Sequence, residues 1–227
     1  MTKPIVVFDL DGTLVDTAPD LLDSLNHCLD LARLPPVDDV SLRSFVGMGG
    51  KVMIQRAFAA RSQPLAEDRL AELLVAFLEH YTENIPGRSL LFPGAAEALA
   101  RFSGAGFALA VCTNKYESLS RKLLEALGIG ERFAAICGQD TFNYRKPDPR
   151  HLLSTIELAG GDRTRAIMVG DSKTDIDTAK AAGVPVVAVD FGYTDRHVRE
   201  FEPSRVISHF DALTLELVAS LLGEPAR

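Results

Sequence analysis

Two aspartates, Asp9 and Asp11, directly follow the apolar run Ile5-Val6-Val7-Phe8, and Gly12-Thr13 come next. The run is short and β-branched, so it reads as a buried strand. The acids then sit where the strand ends, and Gly12 lets the chain turn tightly. In an open α/β sheet the ligand crevice lies outside the carboxyl ends of the strands. Paired carboxylates there repel each other and lose solvation, so they need a compensating reason to exist. A metal ion is one. A division of labour is another, with one acid as nucleophile and the other as general acid/base. The competing reading is a polar turn after a core strand, since Asp and Gly are common turn residues.

Similar residues end other candidate strands. Thr113-Asn114-Lys115 follow residues 107–112, and Gly170-Asp171-Ser172 follow residues 166–169, with Asp175 four positions beyond Asp171. Between them lies Arg145-Lys146-Pro147-Asp148-Pro149. Each has a plainer reading. Thr113 and Asn114, or Asp171 and Ser172, serve as helix caps; Asp175 is a solvated acid; Lys146 is an exposed loop lysine. Asp148-Pro149 is a helix start in either case. Taken together, Asp9, Asp11, Asp171 and Asp175 would converge on one sheet edge, which is untenable without a cation. All-oxygen ligands suit Mg²⁺. Thr113, Asn114 and Lys146 would offer hydroxyl, amide and ammonium donors to phosphate oxygens.

These residues need a scaffold. From Phe92-Pro93-Gly94 onward, short strands and helices alternate, which signals βαβ units and a parallel sheet. Expected strands are 107–112, 133–137, 166–169, 186–189 and 205–207, with residues 4–8 joining by type. Expected helices are 95–103, 117–127, 149–159 and 174–182. Between residues 17 and 88 the pattern is helical instead. Apolar residues recur at helical spacing from Leu21 to Ala32, and Pro35-Pro36 stop that run. A segment at 40–45 leads into the glycine-rich turn Val46-Gly47-Met48-Gly49-Gly50-Lys51, then a helix to Ala60 and a longer one over 66–84. The expected architecture is an α/β core, residues 1–16 and 89–227, with an all-helical insert at 17–88.

The 227 residues allow a sizeable core, and 47% hydrophobic with 24% charged residues is ordinary for a soluble globular protein. The net charge of −7 argues against nucleic-acid or anionic-membrane partners, although a local site can still be positive. Cys28, Cys112 and Cys137 are widely spaced and form neither a CxxC site nor a disulfide framework. No secretory leader or membrane-length apolar stretch is evident, so a reducing, cytoplasmic setting is expected.

Four motifs in order, Asp9-Leu10-Asp11-Gly12-Thr13, Thr113-Asn114, Lys146-Pro147 and Gly170-Asp171-Ser172-Lys173-Thr174-Asp175, resemble those of the haloacid dehalogenase-type phosphatase superfamily. The resemblance implies a Rossmann-like core with a helical cap. It implies Asp9 as the nucleophile that becomes aspartyl-phosphate and Asp11 as general acid/base. It further implies Mg²⁺ held by Asp9, the main-chain carbonyl of Asp11 and Asp171, supported by Asp175, with Thr113 and Lys146 on the phosphoryl group. Asp11 argues against the dehalogenases and phosphonate-cleaving relatives, which lack it. Thr13 and Leu21 stand where the hexose-phosphate mutases usually carry Val and a cap His. Residues 46–51, Phe92-Pro93-Gly94 and Phe191-Gly192-Tyr193 are similar to phosphoglycolate phosphatases, which implies 2-phosphoglycolate as substrate. Lys51 would then meet its carboxylate from the cap. The alternatives are another small phosphate ester (a sugar phosphate, nucleotide or pyrophosphate) or a receiver-type signalling domain. The latter fits poorly, because its phospho-accepting Asp sits in a cap-free domain. A monomer or homodimer is expected.

Overall fold

A computed structural model describes residues 2–38, 49–194 and 196–223. Six parallel strands form one sheet: β1 (Lys3–Phe8), β4 (Ala108–Cys112), β5 (Ala135–Cys137), β6 (Gly161–Gly170), β7 (Val186–Val189) and β8 (Arg205–Ile207). Their order is β5-β4-β1-β6-β7-β8, so β1, with Asp9 at its end, is flanked by β4 and β6. A parallel sheet is covered on both faces, which is why these strands read as continuous apolar runs. Side chains still alternate. Val6, Phe8, Leu109, Val111, Ile167 and Val169 face one core, packed by α4 (Ala95–Gly104), α5 (Glu117–Ala126) and α8 (Leu215–Leu221). Ile5, Val7, Ala110, Cys112, Ala166 and Met168 face the other, packed by α6 (Pro149–Leu158) and α7 (Lys173–Ala182). Each large apolar side chain buried this way contributes about 1.5–3 kcal/mol.

The helices between residues 17 and 88 are α1 (Ala18–Leu31), α2 (Gly50–Ala59) and α3 (Glu67–Asn84). They close on their own apolar cluster, including Leu25, Leu29, Met53, Ile54, Leu73 and Phe77, which Leu119 and Tyr193 join from the sheet side. The chain passes in and out of this block as a two-stranded antiparallel ribbon, β2 (Val15–Asp16) against β3 (Leu90–Leu91). One carboxylate ties the crossing. Asp20, buried at the start of α1, accepts from the backbone N–H groups of Arg88 and Ser89, both at 2.8 Å. Gly87 has φ +54°, and a Cβ there would lie 2.4 Å from Asp20 Oδ1.

The expected elements are present with shifted ends. β6 begins five residues earlier than its apolar run, because Gly161 to Arg165 is a polar extension outside the core. Its pairing with β1 also slips there: Lys3 faces Gly161, then Ile5 faces Ala166. The ribbon and α8 were not expected. The segment at 40–45 and the turn residues 46–48 lie outside the described residues.

His151 on α6 is fully buried, and burial, reinforced by the Lys146 ammonium, pushes its pKa down from 6.5 to about 4. Below pH 6.5 the unfolded chain takes up a proton that the folded one refuses until about pH 4. Stability therefore falls as pH drops through that window. His151→Leu should gain melting temperature over the parent at pH 5 relative to pH 7.5, read by thermal unfolding at both. An equal difference at both pH values would refute the assignment.

Candidate active site

The chain after β1 is held in one shape by its own backbone. The Leu10 carbonyl accepts from the N–H groups of Thr13, Leu14 and Val15, and Gly12 N–H donates to Val15 O at 3.0 Å. Gly12 has φ +84°, and a Cβ there would meet Asp171 Oδ2 at 2.5 Å and the Tyr193 ring at 2.8 Å. Glycine is required both for the turn and for the approach of Asp171. The Thr13 hydroxyl donates to Asp171 Oδ1 at 3.0 Å, and the Tyr193 N–H to Asp171 Oδ2 at 2.7 Å. The Tyr193 hydroxyl meanwhile accepts from Ala18 N–H at 2.9 Å and donates to Asp16. One residue thus spans from Asp171 to the entry of the helical block.

At the end of β6, Ser172 and Asp175 form a capping box on α7, which fixes Asp175. Gly170 lets it come close, since a Cβ there would lie 2.4 Å from Asp175 Cβ. Lys146 enters from the loop before α6, buried, with Nζ 2.6 Å from Asp175 Oδ1 and 2.8 Å from Asp9 Oδ1. The Asp9 contact is an ion pair without hydrogen-bond alignment, which leaves Asp9 Oδ1 with no hydrogen-bond partner.

Asp9, Asp171 and Asp175 each place a carboxylate oxygen within 4.8 Å of the others. All three are buried. Burial pushes Asp9 up to about 6, against the pull of Lys146 and with the repulsion of Asp175. Burial, then Asp175 and Asp9, push Asp171 well above the usual carboxylate range. Lys146 is held above the ordinary lysine value: burial lowers it, but the Asp175 and Asp9 charges outweigh that. Three acids thus face one ammonium. This surplus of buried carboxylate oxygens over positive charge fits a divalent cation bound through oxygen. Asp11 stands apart from the cluster, with its carboxylate oxygens 3.1 and 3.3 Å from Lys115 Nζ.

Other expected site residues fall as follows. Thr113 is buried at the end of β4, and its hydroxyl oxygen accepts from Lys115 N–H at 3.2 Å, leaving its proton free to donate. Asn114 turns inward: its amide donates to the Lys146 carbonyl at 3.0 Å, joining two loops of the site. That bond uses one of its two amide N–H groups and leaves the other for the expected donation to a phosphate. Lys51 lies at the exposed start of α2, 4.0 Å from Glu67 on α3, and its side chain is 56% exposed. No site role was expected of Lys115, and Thr13 was weighed only against the mutases, although both belong to the strand-end motifs. The only signal for Lys115 was its place directly after Thr113-Asn114.

A parallel sheet, a helical block entered just beyond its central strand, and buried aspartates with a lysine at the strand ends define the class of acid-centred α/β hydrolases. The chain belongs to the haloacid dehalogenase-like hydrolases, whose family profile matches residues 6–189. It is 67% identical over 222 residues to a phosphoglycolate phosphatase of Mesorhizobium japonicum, covering 98% of each chain. A phosphoglycolate phosphatase of Agrobacterium fabrum is 52% identical, covering 99% of this chain and 96% of that one. Among solved structures, the crystal structure of a "predicted phosphoglycolate phosphatase" from Haemophilus somnus superposes with a TM-score of 0.86 at 30% identity. That alignment covers 94% of this chain and 97% of the other.

Proposed function

We propose that this phosphoric monoester hydrolase is a magnesium-dependent phosphatase that converts 2-phosphoglycolate to glycolate and phosphate. The observation that carries the chemistry is the buried set Asp9, Asp171, Asp175 and Lys146 at one sheet edge. The substrate rests on the curated relatives, above all the one 67% identical over nearly the whole chain.

The residues take these roles. Asp9 Oδ attacks phosphorus and becomes aspartyl-phosphate as the bond to the substrate's bridging oxygen breaks. Asp11 gives that oxygen its proton, then accepts one from the water that hydrolyses the intermediate, which returns Asp9 and phosphate. Lys146 and the Thr113 hydroxyl hold the phosphoryl oxygens, and Asn114 positions Lys146 through its carbonyl. Asp9, Asp171 and the main-chain carbonyl of Asp11 would hold Mg²⁺, with Asp175 placing Lys146 beside them. Bound there, the cation offsets the charge of the acids and of the phosphoryl group. Residues 17–88 act as a cap that excludes water and selects the substrate. The enzyme works on a small metabolite, apart from nucleic acid and membrane, in the cytoplasm. Among the described residues no helix is long and apolar enough to cross a membrane.

A phosphate-release panel of 2-phosphoglycolate, sugar phosphates, nucleotides, pyrophosphate and aryl phosphate tests the substrate. The highest kcat/KM should fall on 2-phosphoglycolate; a higher value on another ester would replace it. Asp11→Asn should leave KM near the parent value and slow kcat by roughly 10²–10⁴-fold, the usual worth of a general acid/base. Turnover within threefold of the parent would remove Asp11 from that role.

A further inference from the structure

A phosphoglycolate-type substrate has two anionic ends, and the residues assigned so far receive only one. Lys146 is committed to Asp9 and Asp175. The described cation that stands next to the proton donor is Lys115. Its ammonium lies 3.1 and 3.3 Å from the two oxygens of Asp11 and 4.2 Å from the centroid of the Tyr81 ring. Tyr81 belongs to α3 of the helical block and is itself buried. Lys115 thus touches an acid of the sheet domain and an aromatic face of the insert at once, and its side chain is only 6% exposed. Lys51, by contrast, is 56% exposed and faces Glu67.

Two features suit this ammonium to a ligand anion. First, its bonds to Asp11 are long: a committed charge-assisted pair runs about 2.7–2.9 Å, and Lys146 reaches Asp175 at 2.6 Å in this protein. Second, its remaining donor capacity is spent on a ring face, which offers no full charge, whereas a carboxylate would. Position agrees with chemistry. In 2-phosphoglycolate the carboxylate is separated from the bridging oxygen by a single methylene. Asp11 must reach that oxygen to protonate it, so the carboxylate arrives beside whatever flanks Asp11.

We propose that Lys115 binds the carboxylate of the substrate, and that this bond releases the oxygens of Asp11 to the leaving group. The substrate class is a short phosphorylated hydroxy acid, with the carboxylate one or two carbons from the ester oxygen. This rests on the phosphatase reading above and adds a discriminating residue to it. With both oxygens of Asp11 on the ammonium, esters without a second anion find the proton donor engaged. Tyr81 brings the insert into the same contact, so the carboxylate would be met where the two parts of the molecule touch.

The test compares 2-phosphoglycolate with ethyl phosphate, which has the same chain length and no carboxylate. The quantity read is the ratio of their kcat/KM values. In the parent enzyme the ratio should be large. In Lys115→Met it should fall by roughly 10- to 150-fold, the worth of one charged hydrogen bond. Lys115→Arg should recover part of it. Equal losses on both esters would leave the ratio unchanged and overturn the proposal, since Lys115 would then serve Asp11 or the fold alone. Should Lys115→Met melt below assay temperature, Lys115→Gln gives the same comparison with a neutral donor. A parent ratio near one would overturn the substrate reading itself. A large parent ratio that survives both variants would overturn only the role of Lys115.

Discussion

Asp9→Asn should abolish turnover, by about 10⁴–10⁶-fold, the range seen when a covalent nucleophile is removed. Asparagine has nearly the shape of aspartate, so β1 and the turn after it keep their packing. What disappears is the nucleophilic oxygen, and with it the aspartyl-phosphate. The charge change is also informative. Asp9 is one of three buried acids facing one ammonium, and burial raises its pKa to about 6. Neutralising it removes repulsion from Asp171 and Asp175, while Lys146 keeps its 2.6 Å partner Asp175. The metal-free variant should therefore melt no lower than the parent at pH 7.5. Activity and stability should part company, which distinguishes a lost nucleophile from a damaged fold. Rapid quench with labelled substrate should trap phosphate on Asp9 of the parent and nowhere on the variant. Residual turnover within a hundredfold, or label on another residue, would sink the assignment.

Much of this arrangement is legible in the chain because its signals are local. The strand ends announce themselves as apolar runs followed by Asp, Thr or Gly, and a parallel sheet gathers such ends on one edge. Asp148-Pro149 reads as a helix start, and its carboxylate does accept from Arg150 N–H at 2.9 Å. The illegible parts depend on residues far apart. Nothing near Lys115 reveals that its ammonium reaches Asp11, over a hundred positions away. Asn114 looks like any polar donor until the Lys146 carbonyl appears beside it. The polar start of β6 carries no apolar pattern, since it leaves the core. The ribbon of β2 and β3 is too short for periodicity and exists only because the insert must return to where it left.

Stripping divalent cations should abolish turnover and lower the melting temperature at pH 7.5; Mg²⁺ should restore both. The reason is charge. Asp9, Asp171 and Asp175 crowd within 4.8 Å with, among the described residues, Lys146 alone paired to them, so the folded state holds a net negative cluster that the unfolded chain does not. A cation binding the folded state at about a hundred times its Kd adds about 2.7 kcal/mol. For a chain of this length that is roughly 5–10 °C. Protons compete for the same oxygens. The folded-state pKa of Asp9, about 6, lies above its ordinary value of 3.8. The metal-free fold therefore binds a proton more readily than the unfolded chain, and this gain appears as pH falls through about 6. The Mg²⁺-induced shift should then be smaller at pH 5 than at pH 7.5. The buried His151 changes nothing here, because it acts alike with and without the cation. Ca²⁺ should raise the melting temperature yet support little turnover, since it favours more ligands and looser geometry than Mg²⁺. Full activity in excess chelator, or a Mg²⁺ shift that grows toward pH 5, would show that the acids serve something other than a cation.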